Sequence, residues 1–266
     1  EASFTLLALK SNNIINNDYN GYKTFQLRSE EGECFPKANC NAKDTALGAL
    51  VFTNFNLNNQ KLLSWLDNSI SKANVEDWYI QLHTTGSGKC TIIYDDNQEK
   101  IVIVDGTNKL KIEGQVGEFD WINVKNLGMN LDNPIEKVIV DCTKPSESKV
   151  NDPGMLISLL RMADNEFYIY QESQGRIANL EINNACYSGD NKVCDKESSY
   201  YAAWVLRKLG KAKDEIKVLP YLEKNAANDL DYAMLFGITN DQKYAQLLAE
   251  SQHPLGHWDN KNIVAT

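Results

Sequence analysis

The sequence lacks the features that mark several large classes of protein. It has no uninterrupted run of eighteen apolar residues, so no part of it is expected to cross a membrane. Its three histidines and the absence of a Gly-x-Ser-x-Gly motif leave few routes to a Ser-His-Asp catalytic arrangement. It also contains no Asn-x-Ser/Thr acceptor for N-glycosylation. This last absence favours a bacterial or archaeal origin.

Basic charge is also scarce. Lysine and arginine number 27 against 36 aspartates and glutamates, which gives a net charge of −9. Nucleic acids and anionic membrane surfaces bind proteins that present a basic face, whereas the lysines here are scattered along the chain. We therefore expect no nucleic-acid partner. The acidic balance is typical of a solvated surface.

The six cysteines are even in number, and their positions fall into pairs. Two pairs are closely spaced and the third brackets a segment rich in β-prone residues. No C-x2-C spacing occurs, which argues against a structural zinc site. Free buried thiols in a reducing compartment are the alternative, but the pairing favours disulfides and an extracellular or cell-surface location. The expected pairs are Cys34 with Cys40, Cys90 with Cys142, and Cys186 with Cys194.

Three segments of the chain share one pattern, in residues 6–35, 156–175 and 232–258. Each predicts an apolar helix, a short turn, an amphipathic helix and a glycine-containing loop that leads into a further helix. Both closely spaced cysteine pairs lie in or near such loops, directly before the next helix. The pattern predicts helical hairpins over residues 1–74 and 149–266. Because both ends of the chain fall inside predicted helices, we expect it to be a segment of a longer protein.

The pattern changes between residues 75 and 148. About six short runs rich in valine, isoleucine and aromatic residues alternate there with Gly, Asn and Asp turns. These runs predict a small inserted β-sandwich or sheet. The expected organisation is therefore a helical domain interrupted by a β domain.

The helical segments resemble a known family. Residues 251–258 read Ser-Gln-His-Pro-Leu-Gly-His-Trp, and Gln26 precedes Gly32 and Phe35 in the same order. These runs are similar to the Q-x-x-x-G-x-W repeats of the α/α-toroid superfamily, which includes squalene cyclases and protein prenyltransferase β-subunits. The resemblance implies a mainly α fold of helical hairpins arranged in a ring. Phe35 replaces the family's tryptophan, and the second segment has no aromatic residue after Gly175.

The catalytic motifs of that family are missing. The cyclase motif Asp-x-Asp-Asp is absent, and its nearest counterpart, Asp229-Leu230-Asp231, is typical of a helix N-terminus. His253 and His257 have metal-ligand spacing, but the proline and glycine between them indicate a loop. Residues 95–99 are rich in oxygen ligands that suit calcium, although the same residues form ordinary hairpin turns. We therefore predict no catalytic residue, no metal and no cofactor.

One aromatic cluster is a candidate ligand site. Tyr200, Tyr201 and Trp204 could line the centre of a helical ring and stack on a sugar or another flat ligand, or they could serve ordinary helix packing. The expected function is a non-catalytic binding or structural module of a larger surface protein, with a protein or polysaccharide partner. The alternatives are an extracellular enzyme on the same scaffold, such as a polysaccharide lyase or a cyclase-like enzyme, and a carrier for a small apolar ligand.

Overall fold

The chain folds into two compact units. The computed structural model describes residues 2–15, 21–75, 77–95, 97–144, 149–163, 166–189, 193–211 and 217–253, with positions 256 and 258. One unit, called here the helical unit, consists of Glu1–Ala73 and Asn184–Thr266. The other, called the β unit, consists of Asn74–Asn183. The β unit is thus an insertion in the sequence of the helical unit.

The helical unit contains helices and one small two-stranded sheet. Strand β1 (Ile70–Lys72) pairs antiparallel with strand β11 (Ala185–Tyr187), on the two sides of the insertion. The helices are α1 (Ala2–Ser11), α2 (Gly21–Gln26), α3 (Ala42–Asn54), α4 (Gln60–Asn68), α5 (Lys196–Lys208), α6 (Leu219–Lys224), α7 (Asp229–Thr239) and α8 (Gln242–Ser251).

The same disulfide-and-helix arrangement occurs twice in the helical unit. The bond between Cys34 and Cys40 immediately precedes the N-cap of α3, and the bond between Cys186 and Cys194 immediately precedes the N-cap of α5. Each cap side chain accepts a hydrogen bond from the backbone N–H three residues later, which satisfies a donor that the first helical turn leaves open. The two disulfides therefore fix where these helices begin.

Each copy of this arrangement also contains one buried hydroxyl with the same role. The Thr45 Oγ1 accepts a hydrogen bond from the Phe35 N–H at 3.0 Å and donates to the Phe35 carbonyl. The Ser199 Oγ accepts from the Tyr187 N–H at 2.9 Å, and the nearest acceptor for its own proton is the Asp195 carbonyl at 2.8 Å, with the Tyr187 carbonyl at 3.3 Å. In both cases the residue that follows the first cysteine is tied to the first turn of the helix. Both disulfide pairs were expected, whereas these hydroxyl contacts were not.

Small residues let the helices of this unit pack closely. Helices α3 and α5 contact each other along their length, and Ala46 and Ala203 are fully buried between larger side chains. Gly48 is required by the Phe35 ring, because a Cβ at this position would lie 2.5 Å from the ring carbon Cδ2. On α4, Leu62 and Leu66 lie one turn apart on the same face and are fully buried.

The β unit is built from two antiparallel sheets. The four-stranded sheet has the order β6-β2-β8-β9, and the five-stranded sheet has the order β10-β7-β3-β4-β5. The strands are β2 (Trp78–His83), β3 (Gly88–Tyr94), β4 (Gln98–Val104), β5 (Leu110–Ile112), β6 (Ile122–Asn123), β7 (Ile135–Asp141), β8 (Leu156–Ala163), β9 (Glu166–Gln174) and β10 (Ile177–Asn183).

Alternation along the strands places an apolar core on the inner faces of the sheets. In β2, Trp78, Ile80 and Leu82 are fully buried while the residues between them are not, as expected when one face of a strand meets the core. The core continues through the valines and isoleucines of β3, β4, β7 and β10. The disulfide between Cys90 and Cys142 is buried in this core and joins residues that are 52 positions apart.

The edge strands on the two sides of the β unit differ in length. On one side the sheets end in β5, of three residues, and β6, of two residues. On the other side they end in β10, of seven residues, and β9, of nine residues. Short edge strands give little template for pairing with another chain, whereas long ones present a row of backbone donors and acceptors. The β unit therefore has one protected side and one open side.

The predicted α/α-toroid and the mainly α fold class are wrong. Residues 156–175, assigned to the second helical hairpin, form strands β8 and β9, and the described chain combines helices with three antiparallel sheets. The error arose at the run Leu156 to Leu160, because its apolar residues do not strictly alternate with polar ones and so do not distinguish a buried strand from a helix. The third segment does contain helices, α7 and α8, whereas the helix expected at 262–266 lies outside the described residues.

The segment before β8 is held in place by Asp152. Its carboxylate accepts hydrogen bonds from the hydroxyls of Thr84 and Thr85, from the Thr85 N–H and from the Gly154 N–H. These bonds lower the pKa of Asp152 to about 2, with the Thr85 backbone N–H as the largest cause. Asp152 therefore clamps the loop after β2 to the segment that precedes β8.

Candidate contact surface

The three aromatic residues proposed as a ligand site lie on α5 and pack against other helices. Tyr200 is buried, its hydroxyl donates to the Leu222 carbonyl at 3.2 Å, and burial raises its pKa far above the usual range. Tyr201 meets Phe4 edge to face at 6.0 Å. Trp204 lies against Gly237 of α7. Because the ring that was to enclose them is not formed, their role in ligand binding stays a prediction without structural support.

A cleft of about 540 Å³ lies beside the N-termini of α3 and α5. Its polar groups already have partners within the protein. Asn41 and Asp195 cap their helices, and Lys43 pairs with Glu197 at 2.6 Å. Burial acts to lower the pKa of Lys43, but the hydrogen bond and charge of Glu197 raise it overall. Asn41, Asp195 and the pair of Lys43 with Glu197 are therefore engaged in contacts within the protein.

The residues considered for catalysis or metal binding lie apart from each other or form other contacts. Asp231 pairs with Lys196 at 2.9 Å and accepts from the Ala227 N–H, so it joins α7 to α5. The Asp95 carboxylate accepts from the Asn130 N–H at 2.7 Å. The neighbouring Asp96 and the second histidine of the 253–257 pair lie outside the described residues. Within the described ranges, no three His, Cys, Asp or Glu side chains come together.

Aromatic and aliphatic side chains meet on the outer face of the four-stranded sheet. Antiparallel register places Tyr79 of β2 opposite Leu160 of β8, and Leu160 opposite Ile169 of β9. Phe167 of β9 lies opposite Met162 of β8. We call this surface the aromatic face, and define it by the side chains of Tyr79, Trp121, Leu160, Met162, Phe167 and Ile169.

The rings of the aromatic face are in contact with each other. The centroids of Trp121 and Phe167 are 4.2 Å apart with an angle of 41° between their planes. Tyr79 meets Phe167 edge to face at 5.0 Å and 80°. Leu160, although it points away from the core, is only 3% exposed, whereas Phe167 is 37% and Ile169 64% exposed. The outer face thus has a small apolar layer of its own, part of which remains open.

Polar groups border the aromatic face at the start of β2. Asp77 forms an ion pair with Lys125, and the Asn123 Nδ2 donates to the Asp77 carboxylate at 3.4 Å. This arrangement of an apolar centre with a charged border is typical of surfaces that contact another macromolecule.

Sequence reasoning missed the aromatic face because most of it was assigned to a helical hairpin. Residues 156–175 were interpreted as that hairpin, so Phe167 and Ile169 were not recognised as neighbours on one face of a strand. The period-two spacing of these two residues was the signal that could have shown it.

The disulfides agree with the expected compartment. The structure contains the three predicted pairs, which fit an extracellular location because reducing compartments keep thiols free. In the part of the chain that the structure describes, no helix is long and apolar enough to cross a membrane. The bacterial or archaeal origin stays a prediction.

Comparison with known proteins gives the chain no family. Protein-family models, curated proteins and solved structures were all searched, and none of them matches this chain.

Proposed function

We propose that the chain is a non-catalytic contact module of an extracellular or cell-surface protein, which holds a protein or polysaccharide partner against the aromatic face. The single observation that carries the proposal is the partly exposed apolar layer formed by Tyr79, Trp121 and Phe167 on a sheet whose other face is already packed. Large aromatic side chains supply much of the affinity at such contacts.

The arrangement of the β unit supports this function. The sheet that carries the aromatic face packs on a core that is crossed by the disulfide between Cys90 and Cys142. A surface held on rigid strands loses little conformational entropy when a partner binds. The enzyme and carrier alternatives depended on a cavity inside a helical ring, and nothing in the described residues favours them.

Screening the 266-residue chain against a glycan array and a displayed random-peptide library tests the proposal. We expect ligands from at least one source to bind the wild type and to lose at least tenfold in affinity for the double variant Trp121→Ser/Phe167→Ser. Phe4→Ser, on the helical unit, is the matched exposed aromatic control and should bind as the wild type does. Ligands that bind both variants equally would show that the contact lies elsewhere.

A further inference from the structure

The open side of the β unit adds a second feature next to the aromatic face. Strand β9 is the last strand of its sheet, and among the described residues its only ladder neighbour is β8. It spans Glu166–Gln174 and contains no proline, lysine or arginine. These are the residues with which proteins commonly protect an edge strand from pairing. Two residues of the aromatic face, Phe167 and Ile169, belong to this strand.

The neighbouring edge strand does not complete the sheet. Strand β10 approaches β9, but these two hydrogen bonds end on side chains of β9. The Glu181 backbone N–H donates to the Gln171 Oε1 at 2.9 Å, and the Asn183 Nδ2 donates to the Tyr170 hydroxyl at 3.0 Å. A cleft of about 520 Å³ borders both strands. It is lined by Lys137, Val138, Ile139, Gln171, Glu172, Ser173, Asn179, Leu180 and Glu181.

We propose that β9 accepts an extended strand of a partner polypeptide, whose centre is apolar and whose ends are basic. This inference rests on the proposed function and names the partner of the same surface. The added strand would continue the four-stranded sheet, and its alternate side chains would rest on Phe167 and Ile169. Main-chain hydrogen bonds supply affinity in this mode of recognition, and the alternate side chains supply specificity.

The charges along the edge of β9 indicate which charge the partner should carry. Glu166 lies at one end of β9 and Glu172 towards the other, and the cleft adds Glu181 against the single Lys137. Opposite charges across paired strands stabilise the pairing, and like charges destabilise it. Basic residues that flank an apolar centre therefore complement this edge.

The same charges disfavour a second copy of the chain as the partner. Strand β9 has two glutamates and no basic residue, so two copies of it repel each other when they pair. An antiparallel pairing centred on Ile169 brings Glu166 of one copy towards Glu172 of the other. The geometry of the rings also disfavours a glycan, because planes inclined at 41° and 80° do not form a flat platform for successive sugars.

Three synthetic peptides provide the test, used with the complete 266-residue chain. The first has five alternating valines and threonines with two lysines at each end. The second replaces the lysines with glutamates, and the third keeps the lysines but carries N-methyl groups on alternate backbone nitrogens. We expect the first to bind and to slow amide hydrogen exchange in β9. The N-methylated peptide should bind at least tenfold more weakly, because it cannot complete the ladder.

Charge reversal sharpens the test without changing the core. Glu166→Lys should weaken binding of the lysine-flanked peptide by about two- to fivefold and strengthen binding of the glutamate-flanked peptide by a similar factor. Glu250→Lys, on α8, is the matched control and should change neither. Binding that is indifferent to N-methylation, or protection confined to other strands, would overturn strand addition.

The two proposals fail in different ways. If none of the peptides binds, while a glycan binds the wild type but not the Trp121→Ser/Phe167→Ser variant, strand addition is wrong and the contact function stands. If peptides and glycans alike fail to bind at the aromatic face, both proposals are wrong.

Discussion

The two units of the chain use the same kinds of residue for different purposes. In the helical unit the disulfides close loops of 6 and 8 residues, and large aromatic residues such as Phe35 and Tyr187 are buried beside them. In the β unit one disulfide spans 52 residues, and aromatic side chains also lie on an outer face. The comparison indicates that the helical unit packs these aromatic residues in its interior, whereas the β unit leaves aromatic side chains partly exposed on one face.

Removing the disulfides should show the largest difference between the units. In the chain-entropy model, loss of the bond between Cys90 and Cys142 costs about 4 kcal/mol, and loss of the bond between Cys34 and Cys40 about 2 kcal/mol. The double alanine variants should therefore differ in the free energy of unfolding of the affected unit, measured by native-state hydrogen exchange. Equal losses would show that loop length does not set the contribution of these bonds.

The paired hydroxyls test whether the two disulfide-and-helix arrangements are equivalent. Thr45→Val and Ser199→Ala each leave a buried backbone N–H without its acceptor, and each should lower the free energy of unfolding of the helical unit by about 1–3 kcal/mol. Ser251→Ala serves as the control, because its hydroxyl is exposed and donates to the Leu248 carbonyl within the same helix. Urea denaturation measures all three. A large loss for one buried hydroxyl and none for the other would refute the equivalence.

The clamp formed by Asp152 should give the β unit a specific dependence on pH. Its folded pKa of about 2 lies below the value of about 3.9 in an unfolded chain. The stabilisation is therefore complete above about pH 5 and is lost as the pH falls towards 2. Asp152→Asn should be less stable than the wild type at pH 7, and the difference in free energy of unfolding should shrink on acidification. Denaturation curves across this range check it, and a constant difference would contradict it.

Sequence reasoning predicted the local features of this protein better than the long-range ones. The pairs Cys34–Cys40 and Cys186–Cys194 could be predicted because each depends on a short spacing, and the third pair because its cysteines bracket the β-prone segment. Strand β8 was missed because Ile157–Arg161 are buried on both faces and do not show the alternation that identifies a strand. Strand β9 was missed with it, because the two were interpreted together as one helical hairpin. The aromatic face was missed with them, since Tyr79 and Phe167 meet only through the pairing of β2, β8 and β9.

The most direct test of this account compares two exposed phenylalanines, one in each unit. Phe167 is 37% exposed on the β unit and Phe4 is 42% exposed on the helical unit, so Phe167→Ala and Phe4→Ala remove rings of similar exposure. The measurement is the affinity of each variant for the ligands selected from the glycan and peptide screens, with the free energy of unfolding recorded alongside. We predict that Phe167→Ala loses at least tenfold in affinity while Phe4→Ala binds as the wild type does. Equal affinity of both variants, or a loss confined to Phe4→Ala, would contradict the assignment of the contact surface to the β unit.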